Sequence, residues 1–209
     1  VTWSNVIYGD LVSPTQAERR ESTIARLLDS GIDTIAELGY SRASVQRIAK
    51  RAGLSYGALF RHFPTVGDFM AEVARETLRR QLATVRAQFD RAGDRLAEFE
   101  GVMAVMRSLK EEPINAVLYE LMVAARTDEQ LRETLQVAVA EYGAQMVELA
   151  RSVPGTDRLS ESELITLVFM ITDMFDGEAL VKTLRPYPEL VAGRDELLAK
   201  LLRGYRPDA

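Results

Sequence analysis

Apolar residues recur along most of this chain at three- and four-residue spacing, the period that lines one face of an α-helix. Ile24, Leu27, Leu28, Gly31, Ile32, Ile35 and Leu38 mark a first such face, which stops at Gly39 as helices often do. Val45, Ile48, Ala49 and Ala52 mark a short second helix, capped by Ser44 and stopped at Gly53. A third runs over 55–63 with Leu59 and Phe63 inward, and Pro64 halts it. Thr65 and Asp68 then have the spacing of a capping box at the head of a long fourth helix. Its stripe is Met70, Val73, Ala74, Thr77, Leu78, Leu82, Val85 and Phe89. Past Gly93 the same period predicts helices over 96–109, 114–125, 128–152, 161–184 and 188–202. No stretch shows sustained alternation and no Asn-Gly or Asp-Gly turn joins apolar runs, so no strand is expected.

The pattern therefore predicts an all-α fold. Residues 1–14, without periodicity, form an arm; 15–64 form a compact three-helix unit; 65–209 form a long connecting helix and a helical bundle. Composition sharpens this only in places. The 209 residues include no cysteine, which removes disulfide and thiolate chemistry, and a single histidine, His62, which removes any metal site built on several imidazoles. No metal or cofactor is expected. The first residues lack the basic start and apolar run of a secretory signal. The longest apolar stretch, 164–175, is too short to span a bilayer and contains Asp173. A cytoplasmic protein with no membrane partner is the expectation.

Net charge is −5, which by itself argues against nucleic acid. The distribution says otherwise. Between Ser41 and Pro64 stand Arg42, Arg47, Lys50, Arg51 and Arg61, with no Asp or Glu. The same window holds Gly53-Leu54-Ser55-Tyr56-Gly57, which matches the G-x-S-x-G nucleophile elbow of serine hydrolases. An elbow needs a buried strand before the serine, and "VQRIAKRA" is amphipathic helix instead. His62 lies seven residues on, roughly 10 Å of helical rise and out of hydrogen-bond reach. No P-loop, dinucleotide fingerprint or H-E-x-x-H is present, so no enzyme and no catalytic residue is expected. Asp173, Asp176 and Glu178 suit a cap, an interface pair or a ligand contact better than a metal.

Two short helices joined by "AGLS" make a helix-turn-helix, whose second member enters the major groove by its leading residues. Those residues are Ser55, Tyr56, Gly57 and Ala58, and the surrounding cations supply attraction to phosphate. The stretch from Thr34 to Met70, "TIAELGYSRASVQRIAKRAGLSYGALFRHFPTVGDFM", resembles the DNA-binding signature of TetR-type transcriptional regulators. The shared pattern is Gly-Tyr, a small polar pair, Ile-Ala-x-x-Ala-Gly-Leu-Ser, then Gly-x-Leu-aromatic-x-His-Phe. The resemblance implies about nine helices, with a DNA-binding unit first and a ligand-binding, dimerising bundle after it. It places Ser44 and the helix after it toward the DNA backbone, with Gln46 or Arg47 reaching the DNA. Ser55, Tyr56, Gly57 and Ala58 would face bases, with Phe60, Arg61 and His62 near phosphates.

Two positions depart from the pattern. Phe60 has no hydroxyl for a phosphate, and Val66-Gly67 stands where a lysine is usual. Affinity must then lean on Arg42, Arg47 and Arg61, or be weaker than is usual for the family. An alternative is a helical ligand-binding or scaffold protein that has lost specific DNA binding.

The bundle is rich in Met and aromatics, which suit adaptable apolar pockets. Phe99, Met103, Met106, Tyr119, Met122, Tyr142, Met146, Phe169, Met170 and Asp173 are the candidate lining of a site for a small, mainly apolar effector. The last two helices carry more apolar residues than one face needs. Leu164, Leu167, Val168, Ile171, Phe175, Leu197, Leu198 and Leu201 are the candidate contacts of a homodimer. Such a dimer would read a roughly palindromic duplex.

Overall fold

The computed structural model describes residues 15–97, 99–182, 184 and 187–204; the arm expected over 1–14 lies outside them. Among the described residues there are nine α-helices, three short 3-10 turns and no strand. The helices are α1 (Gln16–Leu38), α2 (Val45–Arg51), α3 (Tyr56–Phe60), α4 (Val66–Ala92), α5 (Phe99–Glu111), α6 (Pro113–Ala124), α7 (Glu129–Arg151), α8 (Glu161–Val181) and α9 (Pro188–Gly204).

Local chemistry sets most of these limits. α1 begins two turns before its apolar stripe because Thr15 and Glu18 form a reciprocal capping box. Thr65 and Asp68 do the same for α4, and Ser160 and Glu163 for α8. Pro113 opens α6 at a position where its missing N–H is no loss. Ser44 holds the extended backbone of an N-cap before α2, yet its hydroxyl makes no capping bond. The turn between α2 and α3 needs a positive φ at Gly53, +65°, a conformation other residues adopt only under strain. Arg26 of α1 closes that turn by donating to the Ala52 carbonyl at 2.5 Å.

Two apolar clusters fill the interior. The first joins Leu27, Ile35, Ile48, Leu59 and Phe63 to Phe69, Val73 and Leu78 of α4, Val117 and Leu121 of α6, and Leu131 of α7. It crosses the junction at residues 64 and 65 without a break, so the three-helix unit and the head of α4 share one core. The second gathers Val85 and Phe89 of α4 with Met103, Met106 and Leu109 of α5, Met146 of α7 and Phe175 of α8. α4 runs through both, which makes it a rigid strut from the helix-turn-helix to the far end of the bundle. Two polar ties reinforce the joint. The Tyr40 N–H donates to Glu120 of α6 at 2.8 Å, and Gln130 of α7 donates to Asp68 at 2.9 Å. No helix among the described residues is long and apolar enough to cross a membrane.

Candidate nucleic-acid interface

α3 is a five-residue helix whose leading end is bare. Ser55 caps it, its hydroxyl oxygen accepting the Ala58 N–H at 3.1 Å, which leaves the hydroxyl proton free to point outward. That geometry is a helix cap on a loop between helices, with no strand behind it, so the G-x-S-x-G string carries no elbow. Tyr56 is 49% exposed and stands over the half-buried Phe60, ring centroids 4.7 Å apart. Phe60 packs in turn against the first cluster. Its apolar ring props Tyr56, a role that needs no hydroxyl. Gly57 is exposed, and a Cβ there would meet nothing within 4 Å.

Ala58 departs from expectation. It is 5% exposed and turned toward the head of α1, where it lines the cleft with Arg61 and His62 and leaves the outer edge. The outward set is therefore Ser55, Tyr56 and Gly57. Beside them on α2, Gln46, Arg47 and Lys50 are exposed, as is Ser44 at its head. Arg51 faces the other way, gripped by Glu37 at 2.6 Å and Asp33 at 3.4 Å. One of the five cations in the window is thus spent on α1, a pairing that residue spacing alone did not disclose. Arg42 donates its Nε to the Leu38 carbonyl at 2.6 Å.

Arg61 and His62 end up in a cleft of about 570 Å³ between α3 and the head of α1, with Arg19 and Arg20 across from them. His62 Nδ1 is buried there with no hydrogen-bond partner among the described residues. Arg19 and Arg20 were missed in the sequence, where nothing marked the head of α1 as a neighbour of α3. Gly67 explains the second departure from the family pattern. A Cβ at that position would sit 1.9 Å from Gln130 Oε1, so the residue is small where α7 reaches the head of α4.

The bundle residues divide in a way the sequence did not foresee. Met103, Met106 and Met146 are buried in the second cluster, with Phe99 and Tyr142 packed against it. Tyr119 donates to Asp176 at 2.8 Å. Met122, Phe169, Met170 and Asp173 instead lie on the outside. Conversely Leu164 and Phe175, expected between subunits, are 3% and 1% exposed within this chain. Phe175 is held inside by two guanidinium groups, those of Arg107 and Arg194, lying 5.3 and 5.6 Å from its ring centroid. α8 is apolar nearly all round, so periodicity could not say which side faced in. Leu167, Val168 and Ile171 are half-buried, Leu198 likewise, and Leu197 and Leu201 are exposed.

Those features define a helix-turn-helix protein whose recognition edge sits on a helical bundle. The wider comparisons agree. Residues 27–75 match the family model of bacterial regulatory proteins of the tetR family. The chain is 48% identical over 188 residues to the HTH-type transcriptional regulator Rv2912c of Mycobacterium tuberculosis strain H37Rv, covering 90% of this chain and 96% of that one. Among solved structures, a transcriptional regulator from Rhodococcus sp. Rha1 aligns with a TM-score of 0.66 at 26% identity, covering 87% of this chain and 96% of that one. The multidrug binding protein EbrR, solved with imidazole, aligns with a TM-score of 0.62 at 25% identity, covering 88% and 94%. The chain belongs to the tetR family of transcriptional regulators.

Proposed function

We propose that the chain is a repressor that binds a palindromic operator as a dimer and is released by a small molecule held in its bundle. The observation that carries this reading is the α2–α3 edge. It presents Ser55, Tyr56, Gly57, Gln46, Arg47 and Lys50 to solvent while Arg51, paired with Glu37 and Asp33, is turned away. Ser55 and Tyr56 would read base edges, and Arg47, Lys50, Arg61 and the cleft arginines would engage phosphates. A cytoplasmic location follows from that task.

The dimer would form through the outer face of α8 and α9, where Phe169, Met170, Leu180, Leu197 and Leu201 are all about half exposed or more. Exposed large apolar side chains on two helices suit an association surface. The effector would act through α4, whose two ends sit in different clusters. It can release DNA only by binding one arrangement of α4 more tightly than the other. EbrR, whose structure holds imidazole, supports a ligand-responsive role for this relative.

The test is titration of a duplex, selected from a random library, at two salt concentrations. Specific binding should exceed binding to scrambled duplex by about a thousandfold or more and weaken steeply with salt. Equal affinity for both duplexes would instead support a helical ligand-binding or scaffold protein.

A further inference from the structure

The cleft between the head of α1 and the end of α3 is walled by cations on both sides. Arg19 and Arg20 stand across from Arg61 and His62, around a space of about 570 Å³. α1 reaches that far only because Thr15 and Glu18 start it two turns ahead of its apolar stripe. The same box occupies the nearest carboxylate, for Glu18 Oε2 accepts the Thr15 N–H at 2.6 Å. Neither Glu18 nor Glu21 lines the cleft, and no other carboxylate does. Unlike Arg51, which is gripped by Glu37, the three cleft arginines form no ion pair among the described residues. Walls of one sign concentrate their field in the space between them.

His62 adds a donor. Its Nδ1 is buried with no partner among the described residues. A buried N–H without an acceptor is rarer than a bare lone pair, so the imidazole proton sits on Nε2. Nε2 is then the nitrogen that the cleft reaches, and it donates whether the ring is neutral or charged.

The arrangement also selects among anions. A carboxylate is planar and carries a single charge. A phosphoryl group is tetrahedral and carries roughly one and a half to two negative charges at neutral pH, with strong acceptors pointing several ways. Donors on opposite walls can meet it together, and guanidinium groups match its oxygens in pairs. The volume falls among those of small-molecule sites, so the group need not arrive on a polymer.

We propose that this cleft is a site for one phosphoryl group, open to a free phosphate, inorganic or esterified, as well as to the operator's backbone. The two sources then compete, and free phosphate loosens DNA without entering the bundle. The site goes beyond the operator reading above, and only the competition rests on it.

His62 is the single histidine, so its imidazole gives one NMR signal that reports on the cleft alone. Inorganic phosphate, acetate and chloride are titrated against the full chain without DNA, at constant pH and matched ionic strength. Phosphate should shift that signal saturably with a Kd in the millimolar range, about tenfold or more tighter than acetate, and chloride should leave it in place. Arg19→Ala with Arg20→Ala should abolish the shift. Both are exposed helix positions where alanine is the best helix former, so the fold holds. Arg47→Ala, outside the cleft, should keep the shift. With the selected duplex present, phosphate should weaken binding about threefold or more beyond chloride, and the double variant should lose that excess. Equal response to phosphate and acetate overturns the proposal. So does a shift that survives the double variant or falls as far in Arg47→Ala, or no excess over chloride against a duplex the chain does bind. A chain that takes phosphate in the cleft yet binds no duplex specifically sinks the repressor reading and leaves the site standing. One that binds its operator while His62 stays silent to phosphate sinks the site alone.

Discussion

The α2–α3 edge and the α8–α9 face are both exposed, yet they are built on opposite principles. The first is polar and cationic, carried by two short helices pinned to a shared core by Ile48, Leu59 and Phe63. The second is apolar, with Phe169 and Met170 on α8 and Leu197 and Leu201 on α9 turned to solvent. α9 contributes little to the interior; Ala199 is its one buried apolar residue among those described. Ion pairs tie it down instead, Arg107 to Asp195 at 2.7 Å and Arg194 to Glu178 at 2.5 Å. A rigid polar edge suits a partner of fixed shape and uniform charge. An apolar face whose last helix is bound to its own chain largely by charges suits a partner that completes the core. The contrast supports the proposal that nucleic acid meets one surface and a second copy the other.

The largest expected effect comes from charging the apolar face. Leu197→Glu with Leu201→Glu places carboxylates where desolvation would be severe, and should convert dimer to monomer in sedimentation. Operator affinity should fall by orders of magnitude because one recognition edge then reads one half-site. Helical content should hold, since both leucines are more than half exposed. A dimer that survives this pair of changes places the interface elsewhere.

The polar edge should break more selectively. Tyr56→Ala is expected to cost about 1–3 kcal/mol of operator binding and to relax sequence preference at one position. Arg47→Ala should weaken operator and scrambled duplex alike and reduce the salt slope by about one per subunit. Those outcomes, measured by duplex titration, separate base reading from phosphate attraction on neighbouring helices. If Tyr56→Ala weakens both duplexes equally, Tyr56 is a backbone contact.

The two surfaces were unequally legible in the sequence. α2 and α3 are short, bounded by Ser44, Gly53 and Pro64, and flanked by a carboxylate-free window, so their position and outward residues were readable. The burial of Ala58 was not readable, because it depends on the head of α1, which closes over it from another part of the chain. α8 reads apolar on every side, and spacing cannot choose a face when all faces qualify. Tertiary partners made that choice. Arg107 and Arg194 lie over Phe175 and draw it in, and Gly143 on α7 receives the edge of the Phe169 ring while the rest stays exposed. Asp176, three residues past the expected Asp173, became the half-buried, inward carboxylate because it meets Lys110 and Tyr119. Long-range pairs of that kind leave no periodic trace.

Gly57→Ala sharpens the edge further. A Cβ at Gly57 meets nothing within 4 Å, and alanine is favoured over glycine in a helix by about 0.5–1 kcal/mol. The variant should therefore melt slightly higher while binding operator less well, if DNA comes as close to the helix as a bare leading end permits. Unchanged operator affinity would show that Gly57 is merely exposed.

The smallest effect is a gain. A side chain at Gly67 would have to displace Gln130, whose Oε1 would lie 1.9 Å from the new Cβ and which is held there by its bond to Asp68 at 2.9 Å. Shortening Gln130 to alanine removes the obstacle, and the capping box of Thr65 and Asp68 keeps the head of α4 in place. In that background Gly67→Lys adds one cation at a helix start beside the polar edge, where a phosphate is expected. Affinity for operator and scrambled duplex should both rise several-fold at low salt, with a steeper salt slope by about one per subunit. Gly67→Lys alone should gain less, since the lysine must first displace Gln130 and cost its bond to Asp68. If the double variant gains nothing at low salt, the head of α4 lies beyond reach of the duplex, and contact with DNA is confined to α2, α3 and the arginines facing them across the cleft.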